Sequence, residues 1–217
     1  MTGPARAQRA ISAFYSWAAD KIYEPVIVKR AFPLLGGDLG SVVEAQGRAA
    51  VAGAGGHPIL DLPVGTAYFT LAMARRHEGL VLGADIAWGM VRAARRAGLQ
   101  ADLDNLQAVQ CDIHRLPFPD GAFGAVLCTN GLQVIPGLQE SLHELARVLA
   151  PGASLYLSVI ILPVTALLPR SAAARAPTVL KSRGDLLEAL AEAGLTVTSI
   201  AAQRLAVLIE ARRPLRS

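Results

Sequence analysis

From residue 58 to the C-terminal tail, short apolar runs alternate with segments whose apolar residues recur every three or four positions. Seven runs read as strands: Pro58–Leu62, "LVLGAD" (80–85), "LQAVQCD" (106–112), "GAVLCTN" (124–130), "SLYLSVII" (154–161), "LTVTSI" (195–200) and "LAVLIEA" (205–211). Between them, residues 66–76, 88–98, 137–152 and 186–194 read as helices. In the third of these Leu138, Leu142, Leu145 and Leu149 share a face, and Pro151-Gly152 is the stop signal. Ser182 and Asp185 form an S-x-x-D capping pattern ahead of the fourth, which Gly194 closes.

Strands that alternate with helices predict βαβ units and an α/β fold, with a mostly parallel seven-stranded sheet and helices on both faces. The last two runs lie only a few residues apart. This predicts a hairpin, and hence one antiparallel strand at the end of the sheet. Residues 9–50 read as extra N-terminal helices punctuated by Pro25 and Pro33. The chain therefore reads as one domain over 1–217, with an N-terminal helical lid at 1–50 and an α/β core at 55–217.

Composition narrows the partners. At 217 residues the chain can bury a full core. Its net charge of +4 is spread without a block of like charges, which gives no reason to invoke nucleic acid or an anionic membrane. Cys111 and Cys128 form no C-x-x-C pair and no His/Cys cluster has zinc spacing, so no metal is expected and the thiols read as reduced, in a cytoplasmic protein. The N-terminus lacks an apolar signal core, and the apolar stretch 154–169 is broken by Pro163 and Pro169. No stable membrane insertion is expected.

Polar residues recur where the strands end: Asp61, Asp85, Asp112 and Asn130. In open α/β sheets ligands sit beyond the carboxyl ends of the strands. One such aspartate alone reads as a cap or turn residue; three aspartates and an asparagine at successive strand ends point to a ligand containing a nucleoside, whose ribose diol and amine a carboxylate can accept from. Asp85 follows Asp61 by 24 positions, near the ~20-residue offset of a ribose carboxylate. The loop between them, "DLPVGTA", has only Gly65, and G-x-G-x-x-G is absent. Pro63 removes an N–H and Val64 adds a branched side chain, so a pyrophosphate finds a poor cradle and a nicotinamide enzyme is disfavoured.

Four stretches in order resemble the class I S-adenosylmethionine-dependent methyltransferases. "ILDLPVGTAYFTLA" is similar to the family's D-x-G-x-G-T-G loop, and "VLGADIAWGMVRAARR" to its acidic second strand and following helix. "QCDIHRLPFPDGAFGAVLCTN" is similar to D-[AI]-x-x-L-P-F-x-D-x-x-F-D-x-V, and "LHELARVLAPGASLYLSV" to R-V-L-x-P-G-G. The likeness covers residues 55–160 and lies nearest the small-molecule branch that includes the menaquinone and ubiquinone C-methyltransferases. It implies the Rossmann-like class I methyltransferase fold. The departures are Pro63, Val64 and Ala67 in the loop, Gly124 in place of an aspartate, and Ala153 in place of a glycine.

The resemblance implies S-adenosyl-L-methionine as cofactor, leaving as S-adenosyl-L-homocysteine. It implies that Asp61, Leu62, Pro63, Gly65 and Thr66 face its methionine end, that Asp85 with Ile86 and Met90 takes the ribose and adenine side, and that Cys111, Asp112 and Ile113 flank the adenine. Asn130 and Gln133 then line the path to the acceptor, and Tyr15 and Tyr23 close over it, with Trp17 beside them. The acceptor expected from the apolar N-terminal helices and the Arg170, Arg175 and Arg183 loop is a hydrophobic small molecule, a quinone precursor, polyketide or lipid, methylated on oxygen or carbon. No catalytic base is assigned: His57, His77, His114, His143 and Glu144 read as turn, cap, surface and helix-face residues. Proximity carries the reaction. The alternative is a protein of this fold that binds the cofactor or its product without methyl transfer, a cyclase-type enzyme or a binding or regulatory subunit. A homodimer is compatible with the sequence.

Overall fold

The computed structural model describes residues 38–133, 135–160, 182–203 and 205–215. Five helices and seven strands alternate there: α1 (Leu39–Ala54), β1 (Ile59–Asp61), α2 (Thr70–Ala74), β2 (Val81–Asp85), α3 (Trp88–Gln100), β3 (Leu106–Gln110), β4 (Phe123–Thr129), α4 (Leu138–Val148), β5 (Leu149–Ile160), α5 (Arg183–Glu192), β6 (Thr196–Gln203) and β7 (Ala206–Arg212). The strands form one sheet in the order β3-β2-β1-β4-β5-β7-β6. Neighbours from β3 to β5 are parallel, and β7 is antiparallel to both β5 and β6. The expected α/β fold with a mostly parallel seven-stranded sheet is the one observed.

Alternate strand residues feed two cores. Ile59, Val81, Ala125, Leu127 and Tyr156 pack with α1, α2 and α3 on one face. Leu60, Val126, Cys128, Leu155 and Leu157 pack with α4 and α5 on the other. α1 buries Val43, Ala50 and Ala54 and ends at Gly55 in the left-handed region (φ 57°). Of the helical lid expected over 1–50, residues 39–50 lie in α1, which packs on the sheet, and residues 1–37, with Tyr15, Trp17 and Tyr23, lie outside the described residues.

Three expectations are corrected. The antiparallel strand is not at the end of the sheet: β7 lies between β5 and β6. The burial of each strand explains why, because β7 carries the apolar "AVLI", all buried, while most of "TVTSIAAQ" in β6 is exposed, as an edge position allows. The helix expected over 137–152 ends at Val148 and passes directly into β5. Pro151-Gly152 instead marks an irregular step, where the β4–β5 register jumps from Phe123↔Leu149 to Ala125↔Ser154. The helix expected over 66–76 is reduced to the five residues of α2, because residues 62–69 are taken up by a loop over the sheet.

Gly124 has a steric reason. A Cβ there would stand 2.7 Å from the Ala54 carbonyl oxygen and 2.8 Å from the His57 Cβ, because the end of α1 lies directly on β4. Gly124→Ala is expected to cost about 1–3 kcal/mol by overpacking, read as a lower urea midpoint. Gly40, in α1 with open space around it, gives the opposite sign: Gly40→Ala gains up to about 1 kcal/mol.

Candidate functional site

The strand order reverses between β1 and β4, which opens a crevice at their carboxyl ends. A shallow cleft lies there, and the sequence-predicted residues Asp61, Pro63, Gly65, Thr66 and Asn130 line it. Val64, Thr70, Thr129 and the aromatic pair Tyr68–Phe69 complete the wall. The sequence reading did not single out Thr70, Thr129, Tyr68 or Phe69. For Thr70 a signal existed: a hydroxyl nine residues past Asp61, at the start of a helix.

The loop after β1 is fixed from below. Leu62 N–H donates to the Leu127 carbonyl at 3.0 Å and Val64 N–H to the Ala84 carbonyl at 2.8 Å, so the loop bridges β4 and β2. Gly65, at φ 54°, donates its N–H to Asp85 Oδ2 at 3.1 Å. Asp85 Oδ1 accepts from the Ala87 N–H at 2.9 Å. The aspartate expected to meet a ribose is therefore turned inward here, holding the loop. Asp61 is also buried; its Oδ2 accepts from the Thr70 hydroxyl at 2.5 Å.

Buried polar atoms without a hydrogen-bond partner among the described residues gather around the cleft. They include Asp61 Oδ1, Thr66 Oγ1 and both side-chain atoms of Asn130. Such atoms cost about 1–3 kcal/mol each when left unpaired, so a site of this kind suits a ligand with complementary donors and acceptors. Burial pushes the Asp61 carboxyl up to about 7, with the Thr70 hydrogen bond pulling it down and the nearby Asp85 charge pushing it up. Burial likewise raises Asp85 to about 6, against the N–H groups of Ala87, Gly65 and Ile86 that favour its charged form. A cation placed beside Asp61 reverses its desolvation penalty.

The remaining predicted residues lie around this centre rather than in the cleft wall. Leu62, Met90 and Ile113 are core side chains. Asp112 stands two residues past β3, not within the strand; its Oδ1 accepts from the His114 N–H at 3.0 Å and contacts His114 Nδ1 at 2.6 Å. The other ring nitrogen, Nε2, lies 2.5 Å from the Pro136 carbonyl oxygen. His114 is thus a half-buried bridge between the β3 and β4 ends, not the surface residue expected. Ile86 is held through its carbonyl, which accepts from Gln110 Nε2 at 2.9 Å. Gln133 donates to the Asn130 carbonyl at 2.9 Å. Burial, then the Asp112 and Asp85 charges, raise Cys111 to about 12, and burial raises Cys128 further; neither is a nucleophile at neutral pH. His77, expected as a helix cap, follows α2 with its N–H on the Met73 carbonyl, and its ring is buried with Nε2 3.0 Å from the His57 carbonyl oxygen.

Comparison with known proteins bears on this site. Residues 59–152 match the profile of a family described as "Methyltransferase domain". The demethylmenaquinone methyltransferase of Listeria monocytogenes serotype 4a is 36% identical over 102 residues, which are 46% of this chain and 43% of that protein. The enzyme of the same name from Thermus thermophilus is 42% identical over 98 residues, 45% of this chain and 44% of the relative. The chain thus matches less than half the length of these curated relatives. A SAM-dependent methyltransferase from Aquifex aeolicus superposes with a TM-score of 0.69 at 17% identity, over 91% of this chain and 98% of that one, which shows the shared fold.

The buried carboxyl at position 61 makes a testable trade. A carboxyl raised on folding contributes stability at low pH that is lost as pH climbs through its folded value. Asp61→Asn keeps the acceptor for Thr70 and removes the buried charge. In urea titrations without ligand, the variant is expected to be more stable than the parent by a margin that widens from pH 4 to 7, levels off above, and reaches on the order of 2 kcal/mol at pH 8. A margin independent of pH refutes the assignment.

Proposed function

We propose that this chain, whose residues 59–152 match a family described as "Methyltransferase domain", is an S-adenosylmethionine-dependent methyltransferase acting on an apolar small molecule, at carbon or oxygen. The observation that carries the reading is the ring of unpartnered buried atoms, Asp61 Oδ1, Thr66 Oγ1 and the Asn130 amide, around the crevice between β1 and β4. A zwitterionic amino-acid tail matches them chemically. Asp61 receives the ammonium, and the Thr66 hydroxyl donates to the carboxylate. Asp85 and Asp112 serve the nucleoside half. A ribose diol at Asp85 competes with the Gly65 N–H, so in this reading the loop 63–67 shifts as the nucleoside enters.

When bound, the cofactor supplies a methyl group on a positively charged sulfur. The residues of the chain then have three tasks. Asp61 anchors one end of the ligand, which fixes where its other end reaches. Asn130, at the tip of β4, offers a neutral amide that orients an acceptor without proton transfer. The Tyr68–Phe69 pair and Val64 provide apolar surface that excludes water from the reacting atoms. The demethylmenaquinone relatives and the apolar residues at the β5 and β7 tips support an apolar acceptor.

Calorimetry tests the reading. S-adenosylhomocysteine is expected to bind about tenfold more tightly at pH 8 than at pH 6, as Asp61 ionises through about 7, with proton release that scales with buffer ionisation heat. Asp61→Asn removes both the affinity and its pH slope. Methyl release should follow when the chain is supplied with S-adenosylmethionine and extracted apolar metabolites. No binding of either nucleoside, or equal binding of NAD, sinks the proposal.

A further inference from the structure

One side chain joins the end of β3 to the turn that opens α4. His114 meets Asp112 Oδ1 twice, through its main-chain N–H at 3.0 Å and through Nδ1 at 2.6 Å. Its other nitrogen, Nε2, lies 2.5 Å from the Pro136 carbonyl oxygen, 22 residues further along the chain. Gly137, at φ 74°, leaves the ring its space: a Cβ there would stand 2.9 Å from Nε2 and 3.0 Å from Glu140 Oε2.

A turn residue needs only the first of these contacts, because a main-chain N–H on an aspartate oxygen already completes a turn. The ring adds a brace. Both of its nitrogens face oxygens that accept, so it serves both only with a proton on each. The far end of the brace is fixed. The Gly137 carbonyl accepts from the Ser141 N–H at 3.0 Å and from the Ser141 hydroxyl at 2.8 Å, and Leu142 and Leu145 seat α4 in the core. The near end is open, since the Asp112 side chain is 41% exposed against 23% for His114. A packed framework thus holds an accessible carboxylate in one orientation.

The position of that carboxylate gives the brace its use. The Cys111 N–H donates to the Asp85 carbonyl at 3.1 Å, and the Asp112 and Asp85 charges both act on the Cys111 thiol. The two acids therefore share the tips of β2 and β3. An ionised carboxylate only accepts; the exocyclic amine of a purine answers it, and a ring carbonyl at the same place meets it lone pair to lone pair. Such a contact weakens steeply when its angle is lost, so the aim of the carboxylate matters. We infer that His114 is a positioning residue: braced on Pro136, it aims Asp112 so that the nucleoside end of the crevice takes an aminated purine and refuses its deaminated counterpart. The inference rests on the methyltransferase reading, which puts the nucleoside beside Asp85 and Asp112.

Calorimetry on the full chain tests it with two ligands, S-adenosylhomocysteine and S-inosylhomocysteine, which carries a carbonyl in place of the amine. The parent is expected to prefer the amine about thirtyfold, the effect of one charged hydrogen bond. His114→Phe keeps a ring without its nitrogens and should bring that preference to about threefold; His114→Gln can still donate and should fall between. In an Asp112→Ala background, His114→Phe should change the preference no further, because the histidine acts through the aspartate. A histidine that only stabilises the fold would lower the urea midpoint and weaken both ligands by one factor, which leaves the preference intact. Equal affinity of the parent for the two ligands, an undiminished preference in the folded His114 variants, or a His114 effect that survives in the Asp112→Ala background overturns the inference. If the parent binds neither ligand, the methyltransferase reading falls and takes the inference with it. If it binds S-adenosylhomocysteine and the preference ignores His114, the inference alone falls.

Discussion

Two carboxylates taken out of water at adjacent strand ends set the terms for everything around them. Asp61 and Asp85 are each less than a tenth exposed and close enough for one charge to raise the other. Such a pair is tolerated only where hydrogen bonds answer it. Asp85 obtains them from the N–H groups of Ala87, Gly65 and Ile86, and Asp61 obtains one from Thr70. The loop 62–67, the start of α2 and the turn into α3 are therefore placed by the same electrostatic demand. One oxygen, Asp61 Oδ1, is left without a partner, and it faces the crevice.

The alternation of strand and helix was legible because it depends on side-chain periodicity alone, and so were the polar residues at the tips of β1 to β4. Features fixed by partners far away in sequence were not. The order β5-β7-β6 depends on which of two adjacent runs is apolar on both faces, a comparison of "AVLI" with "TVTS" that the short linker between them overrode. The early end of α4 depends on Leu149 pairing with Phe123 across the sheet. At the site, the acids were found but not their orientation: nothing local to "LGADIA" indicates that Asp85 reaches back to Gly65, 20 residues earlier.

Motif residues also divide between site and scaffold in a way spacing does not reveal. The stretch "RLPFPD" and the helix of Glu144 and Arg147 looked like parts of one signature. In the structure they are one polar joint whose residues do not line the cleft. Arg147 donates to Glu144, to Asp120 and to the carbonyls of Phe118 and Leu116, while Glu144 accepts the Leu116 N–H at 2.7 Å. The guanidinium holds the Glu144 carboxyl below the usual carboxylate range. This joint secures the segment that leads into β4, and β4 carries Asn130. Glu144 is committed to this joint through Arg147 and the Leu116 N–H, and it does not line the cleft.

The loop departures follow the same logic of distant compensation. Pro63 and Val64 are bulkier than the small residues they replace, and each rests on a glycine elsewhere. A Cβ at Gly83 would stand 2.5 Å from Val64 Cγ2, and one at Gly131 would stand 2.7 Å from Pro63 Cγ. Side-chain volume has been exchanged between the loop and the strand ends beneath it, so the backbone keeps its path across β2 and β4 with fewer glycines of its own. Ala67 has no such compensation: it sits at φ 63°, where a Cβ costs about 1–2 kcal/mol, and its methyl is fully buried. That strain survives because Ala67 is pinned on both sides, its N–H to the Val64 carbonyl and its carbonyl to the Leu71 N–H, both at 3.0 Å. The glycine signature is therefore dispensable where the surrounding packing dictates the loop's course.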